Sequence, residues 1–567
     1  MKKYVPMVVL CGLLFSATAS AQNPFRSFLD RYKPRQLDLA AVRTSETPPA
    51  SLTAMAQQDG GLPLAINDVI RLMLENNLDI GVNRFSPLTS QYLIDTLFGR
   101  FEPTLTLSGN VSRSTTPSGS QLDGASSNSR LTGFYSAAFS QTLKTGSAYS
   151  VRFQVNRSST NSAFSTVNPS YNGSVVYSFQ QPLLRNFGRV INTNQIRIAR
   201  NNLNISEIQF EQQVMDLVTQ AQNLYWDLVF AREDIKVQQE SLQLAQRTLG
   251  DNQKQVEIGT LAPIEVVQAE SEVASRREGL VLANYSQTRL EDNVKRLISR
   301  VPDPALVLLS LNPTDNVRDR GGDQIVPVAE AIRLALLNRP EMRQLTIQVQ
   351  NNDFDLEFAR NQLLPQFDVT ASYTQSGLGG TQNVRGGLGG TDVTQIPGGI
   401  GGAFSDIFGF DFTGYQVGFS LQIPLSNKSA QASHTRLITQ KRLNESRQAA
   451  TAQAIATEVR DAFNQIEMNQ ARIEAAEIAR ELAVRRLDAE QRKFRLGASA
   501  IRFVLQEQRN LTQAQTTEIR SLVDYVKAVV NYDRSMGRTL ERNNIQIEQQ
   551  LRPSIASAGS PSVTGQQ

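Results

Sequence analysis

The sequence predicts an α+β membrane protein with two internal repeats, each combining membrane-type β-strands with long coiled-coil helices. Three observations predict this fold class. The chain begins with a secretory signal, several segments alternate between apolar and polar residues, and two long segments carry apolar residues every seven positions. A signal directs the chain out of the cytoplasm, and the two periodicities are typical of transmembrane β-barrel strands and of coiled coils.

The secretory signal occupies residues 1–21. Lys2 and Lys3 precede an apolar stretch over residues 5–15, and Ala19-Ser20-Ala21 is a small-x-small cleavage site. Cleavage after Ala21 would remove Cys11, the only cysteine of the chain. We therefore expect a mature protein without disulfides or thiol chemistry.

The composition argues against several classes of protein. With 40% hydrophobic and 19% charged residues, the chain resembles neither a disordered protein nor a bundle of membrane helices. Its 57 basic residues nearly balance 53 acidic ones, and no basic run is present, so nucleic acid is not an expected partner.

An internal duplication divides the chain into two repeats, 62–300 and 326–538. Four matched pairs share one constant offset: Tyr225 with Phe463, Gly259 with Gly497, Gln268 with Gln506, and Arg296 with Arg534. Each copy reads as helix, strands, long helix, tight turn and helix. Residues 301–325 join the copies as an equatorial linker, 22–61 form a flexible N-terminal segment, and 539–567 form a C-terminal tail.

The strand segments are apolar on one face and small or polar on the other. Segment 174–180 alternates in this way, as do segments 104–108, 151–156 and 416–423. This pattern fits a barrel with lipid outside and water inside. A soluble β-sandwich has alternating strands as well, so the pattern alone leaves both open.

The heptad segments predict helices of unusual length. In the first copy the repeating positions are Val214, Ala221, Leu228, Ile235, Leu242 and Leu249; in the second they are Ala452, Val459, Ile466, Ile473 and Leu487, with Arg480 interrupting. A sustained period of this kind makes helices coil left-handedly around neighbours. A helix over about 190–254 would be on the order of 100 Å long at 1.5 Å per residue, which suits a tunnel across a periplasm.

Each long helix ends at a glycine. Gly259 lies within 256–260 and Gly497 within 494–498, and Pro263 follows near the start of the returning helix. Glycine supplies the left-handed conformation that lets the chain reverse, and proline is tolerated in a first helical turn. Residues 375–414 are a second distinctive segment, a glycine-rich connection that ends in several phenylalanines.

Features of an enzyme are not apparent. His434 is the only histidine, so a zinc site or a histidine-based triad is not expected. The glycine-rich stretch 379–402 has no lysine and does not pass from strand to helix as a phosphate-binding loop does. We predict no catalytic residues, no metal and no cofactor.

The chain resembles the TolC-like outer-membrane efflux proteins, the outer membrane factors. The resemblance covers about 62–545 and is carried by the duplication, segments 181–188 and 423–425, the paired Gly259 and Gly497 turns, and segment 536–541 closing the last helix. It implies a homotrimer in the outer membrane of a Gram-negative-type bacterium. Each chain would contribute four strands to one transmembrane barrel in the lipid, and its helices to one periplasmic coiled-coil barrel.

The resemblance also implies partners and a docking site. Such channels are passive exit ducts that meet a periplasmic adaptor (membrane fusion) protein coupled to an inner-membrane pump of RND, ABC or MFS type. Adaptor contacts in the family lie at turns that match Ile258-Gly259-Thr260 and Leu496-Gly497-Ala498 here.

The gate of these channels lies at the same tip. Phe494 matches an aromatic gate residue, and Glu265 an acidic partner, whereas Phe503 and Gln506 replace two pore-narrowing aspartates. Ser499 replaces an expected arginine. Simpler interpretations exist: Phe494 and Phe503 could pack between helices, and Glu265 could stabilise a helix N-terminus through its dipole.

One further departure is an extra hairpin over 131–157, around the turn Lys144-Thr145-Gly146-Ser147. We expect it to extend the barrel outward without adding strands. Two other functions remain open at this point. A general diffusion porin would not need such long helices, and a structural periplasmic coiled-coil protein would not need lipid-facing strands.

Overall fold

The computed structural model describes Tyr32 and residues 61–119, 126–299, 309–318, 325–385 and 393–547. The compact unit considered below spans Pro63–Asn544. The expected signal peptide and nearly all of the N-terminal segment 22–61 lie outside the described residues. The linker 301–325 is described at 309–318 and 325, and the C-terminal tail as far as residue 547.

The first half of the chain contains a short helical region, four long strands and two long helices. Its elements are β1 (Leu62–Leu64), α1 (Ile66–Asn76), α2 (Leu78–Asn83), α3 (Phe85–Phe98), β2 (Thr104–Pro117), β3 (Ser127–Thr142), β4 (Ala148–Thr160), β5 (Val167–Pro182), α4 (Arg189–Asn192), α5 (Asn194–Glu257) and α6 (Pro263–Ile298).

The second half repeats the order with fewer strands. Its elements are β6 (Leu311–Pro313), α7 (Val328–Asn338), α8 (Pro340–Gln362), β7 (Gln366–Arg385), β8 (Val393–Ile396), α9 (Ile400–Gly409), β9 (Phe412–Gln422), α10 (Lys428–Arg495), α11 (Ile501–Ser535) and α12 (Thr539–Arg542).

The predicted long helices are confirmed. α5 has 64 residues and α10 has 68, so each is on the order of 100 Å long. Most of the heptad positions are buried, among them Val214, Ala221, Leu228 and Ile235 in α5, and Val459, Ile466, Ile473 and Leu487 in α10. No helix within the described ranges is both long and apolar enough to cross a membrane.

The interruption of the second heptad run has a structural explanation. Arg480 lies 2.6 Å from the carboxylate of Glu518, whose side chain is only 7% exposed on α11. The basic residue therefore pairs with an acid on the neighbouring helix at a position where the pattern otherwise places an apolar side chain.

The four long helices lie side by side in the order α6, α5, α11, α10. Each half thus forms one helical hairpin, α5–α6 and α10–α11, and the hairpins meet along α5 and α11. The shorter helices surround the ends of these hairpins that lie nearest the sheet: α3 and α8 pack on α5, and α7 and α8 pack on α10.

The strands form one antiparallel sheet in the order β2-β3-β4-β5-β7-β9, with the short β8 beside the far end of β7. The register is continuous over long stretches; β2 pairs with β3 from Thr104↔Ser140 to Pro117↔Ser127. Within the described chain, β2 pairs on one side only and forms one edge of the sheet, while β9 and the short β8, which pair with successive parts of β7, form the other.

The prediction for the extra hairpin is wrong. β3 and β4 are full-length strands between β2 and β5, so six long strands form the sheet where four were expected. The hairpin's own turn lies at the helical end of the sheet. There Thr145 O accepts a hydrogen bond from Gly188 N, and a Cβ on Gly146 would come within 2.4 Å of Asn186 O. The hairpin therefore cannot extend outward.

The glycine-rich segment 375–414 also differs from the expected connection. β7 continues through its first part to Arg385, and β8 and α9 follow before β9 begins at Phe412; residues 386–392 lie outside the described ranges. Glycine favours neither helix nor strand, which is why composition alone suggested a loop.

The two faces of the sheet differ chemically. One, called here the apolar face, exposes large hydrophobic side chains: Leu105, Leu107, Val111, Tyr177, Phe179, Tyr415, Val417, Phe419 and Leu421. On the opposite, polar face, hydroxyl pairs join adjacent strands, at 2.7 Å between Ser108 and Ser136 and at 2.6 Å between Ser150 and Ser178. The predicted alternation of the strands is confirmed.

The polar face is concave. A depression of about 550 Å³ on this side is lined in part by Thr104, Ser140, Ser150, Ser178, Thr370, Ser372 and Gln416, which come from six strands. The sheet therefore curves around its hydroxyl-rich side and presents its apolar side outward.

Candidate functional site

The first helical hairpin reverses at Gly259 in a Schellman motif. Thr260 N donates to Gln255 O at 2.9 Å, and Gly259 N donates to Val256 O at 3.0 Å. These two bonds satisfy carbonyl groups that the end of α5 would otherwise leave unpaired. Pro263 then occupies the first turn of α6, as the sequence predicted.

The second hairpin reverses at Gly497 in the same way. Ala498 N donates to Lys493 O at 2.9 Å, and Gly497 N donates to Phe494 O at 3.0 Å. The φ angle is +77° at Gly259 and +73° at Gly497, which confirms the predicted left-handed conformation. The duplication thus extends to individual hydrogen bonds at the two tips.

Both tips present a bare glycine beside an exposed apolar side chain. A Cβ added at either glycine would meet no atom within 4 Å. Ile258 is 73% exposed and Leu496 is 84% exposed, and Thr260 and Ala498 are exposed as well. Each tip therefore holds one large apolar side chain in solvent beside a glycine.

Phe494 lies on the inner side of its tip. It is partly buried against a small core formed by Leu487, Ile501, Val504 and Leu505. The structure therefore gives this residue a packing contact within its own hairpin.

Phe503 and Gln506 lie on the opposite side of α11 from that core. Phe503 is 49% exposed, with the guanidinium of Arg502 4.9 Å from its ring centroid. Gln506 is exposed and donates to Asn510 Oδ1 at 3.0 Å. Residues 503, 506 and 510 share one exposed stripe, because positions three and four apart lie on one face of a helix.

Glu265 lies in the first turn of α6 and is half-buried. Its backbone N donates to Ala262 O at 3.1 Å, while its Oε2 atom is buried without a hydrogen-bond partner among the described residues. Among the described residues, Gln506 bonds Asn510 and Arg509 and makes no hydrogen bond to Glu265.

Ser499, which stands where an arginine was expected, makes a hydrogen bond of its own. Its hydroxyl donates to Glu490 Oε1, across the turn from α10. This bond, together with Lys493 3.2 Å away, holds the pKa of Glu490 below its ordinary value. The bond ties the loop after Gly497 back to its own helix.

The part of the chain that the structure describes contains no group of three or more His, Cys, Asp or Glu placed to hold a metal ion.

Comparison with known proteins agrees with this geometry. The family model described as outer membrane efflux protein matches residues 148–300 and 331–538, well over half of the chain. The chain belongs to this family. Outer membrane efflux proteins are passive channels rather than enzymes. The protein therefore lies in the outer membrane of a Gram-negative-type bacterium and extends into the periplasm.

Solved structures of channels have the same fold. CusC is 14% identical, with 87% of this chain and 96% of that chain covered at a TM-score of 0.61. The CmeC outer membrane channel of Campylobacter jejuni is 14% identical, with coverages of 86% and 89% and a TM-score of 0.59. The open-state MtrE channel of Neisseria gonorrhoeae is 14% identical, with coverages of 83% and 88% and a TM-score of 0.56. No curated protein sequence matches the chain significantly.

Sequence reasoning missed an ion pair near the tips of this efflux protein. Glu272 of α6 is 6% exposed and lies 2.7 Å from Arg276 and 2.9 Å from Arg509 of α11. Arg509 therefore connects the second hairpin to the outer helix of the first. The two partners are far apart in sequence, so periodicity could not have paired them.

A second missed feature is the polar contact between the hairpins. Asp227, Asp234, Ser241 and Thr248 of α5 recur every seven residues, and each bonds a side chain of α11. The partners, in the same order, are Lys527 at 2.8 Å, Thr516 at 2.9 Å, Thr512 at 2.9 Å and Gln508 at 2.9 Å. Each lies one position before a heptad apolar residue, so a polar heptad was visible in the sequence.

Proposed function

We propose that this efflux-family protein is the exit duct of a tripartite efflux or secretion system, gated at its periplasmic tip and coupled to a periplasmic adaptor and an inner-membrane pump of RND, ABC or MFS type. The observation that carries the proposal is the pair of matching tips at Gly259 and Gly497, each projecting an exposed apolar residue at the end of a helix on the order of 100 Å long.

Three copies would form the duct. The edges β2 and β9 run in opposite directions, because six antiparallel strands lie in sequence across the sheet. Neighbouring copies can therefore pair β9 with β2 antiparallel, and three copies would close an eighteen-stranded barrel with its polar face inward. A closed barrel leaves no edge unpaired in lipid.

The widths of the two layers support this strand number. Six strands spaced about 4.8 Å apart and tilted by about 40° cover an arc of about 38 Å per copy. The four long helices, packed 8–10 Å apart, cover about 32–40 Å. A six-stranded sheet thus matches the circumference of a twelve-helix coiled-coil tunnel below it.

The adaptor would dock on the tips, and substitution of the glycines tests this. Valine at 259 or 497 forces a β-branched residue into a positive φ, so we expect export to be lost while trimers still assemble. Asparagine tolerates a positive φ, so Gly259→Asn and Gly497→Asn add a side chain at the tip with little backbone strain. They show whether export is lost because of strain or because the tip must carry no side chain. Gly250→Ala within α5 is the control, because a Cβ there also meets nothing within 4 Å.

Normal export from both valine variants would remove the tips from the adaptor contact. Trimer assembly is followed separately, by heat-modifiable migration of outer-membrane fractions, so that a folding defect is not mistaken for a docking defect.

The resting gate would be formed by the exposed stripe of α11. Three copies of Phe503 and Gln506 carry no charge, so the constriction would resist ions through poor wetting and not through an electric field. We expect Phe503→Ala to raise single-channel conductance in planar bilayers, and trivalent cations to block the unmodified channel weakly. Glu265→Gln shows whether Glu265 adds cation preference. Strong block that survives Glu265→Gln, with unchanged conductance in Phe503→Ala, would place the gate elsewhere.

A further inference from the structure

The helix α9 lies against the apolar face of the sheet. Its residues Ala403 and Ile407 are fully buried against the sheet, and the ring of its Phe404 stacks on Phe153 of β4 with centroids 5.9 Å apart. Because the polar face is the concave one, α9 sits on the convex, outward side of the sheet.

Three glycines make room for this helix. A Cβ at Gly377 would lie 2.1 Å from Ala403 O, one at Gly379 would lie 2.3 Å from Gly399 O, and one at Gly173 would lie 2.8 Å from Ile407 Cδ1. The sheet surface is therefore shaped for close approach by a helical backbone, and α9 is a built part of the fold.

The helix also completes the hydrogen bonding of β7. β9 pairs with β7 over Gln366–Ser376 and β8 pairs with it over Gln382–Arg385, so residues 377–381 lie between the two pairings. Asp406 of α9 accepts a hydrogen bond from Leu378 N at 3.0 Å in this interval. A backbone donor that would be costly to leave unpaired in lipid is satisfied by the helix.

The two ends of α9 expose large apolar side chains. Ile400 is 40% exposed, Phe408 is 72% exposed and Phe410 is 59% exposed. Phe410 adopts a left-handed conformation, with φ +61°, at the position after the helix where glycine is preferred. Such a conformation is strained for a residue with a Cβ, and the exposed ring gains little packing within the chain to offset that strain.

The height of α9 on the sheet indicates what surrounds it. Phe367 begins the apolar residues of β7 at the helical end, and Gly377 lies ten residues further along the strand. Ten residues span about 33 Å at 3.3 Å per residue, or about 25 Å of height at a tilt near 40°. That is the height of the apolar band of an outer-membrane barrel, so α9 lies at its extracellular limit.

We propose that α9 is an interfacial helix that binds the boundary between acyl chains and head groups in the extracellular leaflet, through Ile400, Phe408 and Phe410. The proposal rests on the proposed function, which places the apolar face in lipid. Helices that lie in the plane of this boundary bury Phe, Leu and similar apolar side chains in it.

Tryptophan fluorescence tests the proposal in the assembled channel. Trp226 is the only tryptophan, so Trp226→Phe gives a silent background into which Phe408→Trp or Phe410→Trp is placed. The protein is reconstituted in vesicles of phosphatidylcholine brominated either near the head group or deep in the chain. We expect both probes to lose emission, and more of it with the shallow bromines.

Two further positions make the outcome decisive. Tyr415→Trp lies on the apolar face of β9 and reports whether the sheet is in lipid, while Tyr285→Trp on α6, 70% exposed, reports a position outside the membrane. Quenching at 415 without quenching at 408 and 410 would overturn the α9 proposal alone. Absence of quenching at 415 as well would overturn the membrane placement on which it rests.

Discussion

The contact within the second hairpin and the contact between the hairpins differ in their share of apolar side chains. α10 and α11 meet through buried apolar side chains, among them Ile455, Val459, Ile466, Val529 and Tyr532. α5 and α11 meet largely through the polar heptad and its hydrogen bonds, with Leu244 of α5 packing on the apolar core near the second tip. Apolar burial is strong and does not depend on precise partners, whereas one hydrogen bond contributes about 0.5–1.5 kcal/mol net and one exposed ion pair about 1 kcal/mol or less.

Of the two contacts, the polar one between the hairpins is expected to separate more easily. Polar groups that separate can hydrogen-bond to water, whereas separated apolar side chains lose their burial. If the tip is gated as proposed, opening would displace the α10–α11 hairpin relative to α5 and leave each hairpin intact.

The largest effect is expected from damage to the apolar contact. Ile466 is 1% exposed, and Ile466→Ala should cost about 2–5 kcal/mol through lost burial and a residual cavity. Thermal unfolding followed by circular dichroism would show a lower Tm. Ile478→Ala on the same helix, where the side chain is 54% exposed, is the control and should change Tm little. Equal losses in the two variants would contradict the contrast between the contacts.

A smaller effect is expected inside the polar contact. Thr512 Oγ1 and Ser241 Oγ are both buried and 2.9 Å apart. Thr512→Val or Ser241→Ala alone should cost about 1–2 kcal/mol, because one buried hydroxyl loses its partner. The double variant should cost little more than either single variant, and a double-mutant cycle measures this coupling. Strictly additive losses would show that the two hydroxyls do not act as a pair.

The ion pair that spans the hairpins near the tips should influence opening more than stability. Arg509 is 48% exposed and Glu272 retains Arg276; with this structure taken as the closed state of the proposed gate, Arg509→Gln should destabilise that state by about 1 kcal/mol. That corresponds to about a fivefold rise in the ratio of open to closed channels. Single-channel recordings measure it, with the exposed Arg485→Gln, whose partner Glu481 lies on the same helix, as control.

The smallest effect is expected for the dependence of stability on acidic pH. Burial raises the pKa of Glu341, but hydrogen bonds from Arg339 and the nearby Arg534 outweigh burial and hold that pKa below its ordinary value. Because the folded pKa is depressed, the stabilisation is complete above the unfolded pKa of about 4.3 and is lost as the pH falls below it.

Glu341→Gln should therefore make the decrease in Tm smaller as the pH falls below about 4.3. The exposed Glu467→Gln on α10 should leave the fall unchanged. An identical acid profile in Glu341→Gln and the unmodified protein would show that the ion pair does not contribute.

Local signals account for what the sequence predicted. The long helices follow from a heptad pattern that repeats over many turns, and the tips follow from single glycines that need a positive φ at 259 and 497. The strands of the sheet follow from alternation. Each of these signals lies within one element and needs no knowledge of its neighbours.

The remaining features depend on contacts between distant segments. Pairing of β3 with β2 and of β4 with β5 places the 143–147 turn at the helical end of the sheet. The helix α9 is stabilised by a sheet surface that contains Gly173 and Gly377, and its own glycines argue against a helix. Glu272 finds Arg509 only after both hairpins have packed.

The position of the β3–β4 turn has a consequence for the size of the exit. Because the chain enters β2 and leaves β5 at the same helical end, whole hairpins can be inserted between them without changing either connection to the helices. In the proposed trimer, each insertion would add two strands per copy, hence six to the barrel, and would preserve antiparallel closure. The width of such a duct can therefore change only in steps of six strands. Deletion of residues 127–160 removes β3 and β4 from each copy and would test the next smaller barrel, which has six strands fewer.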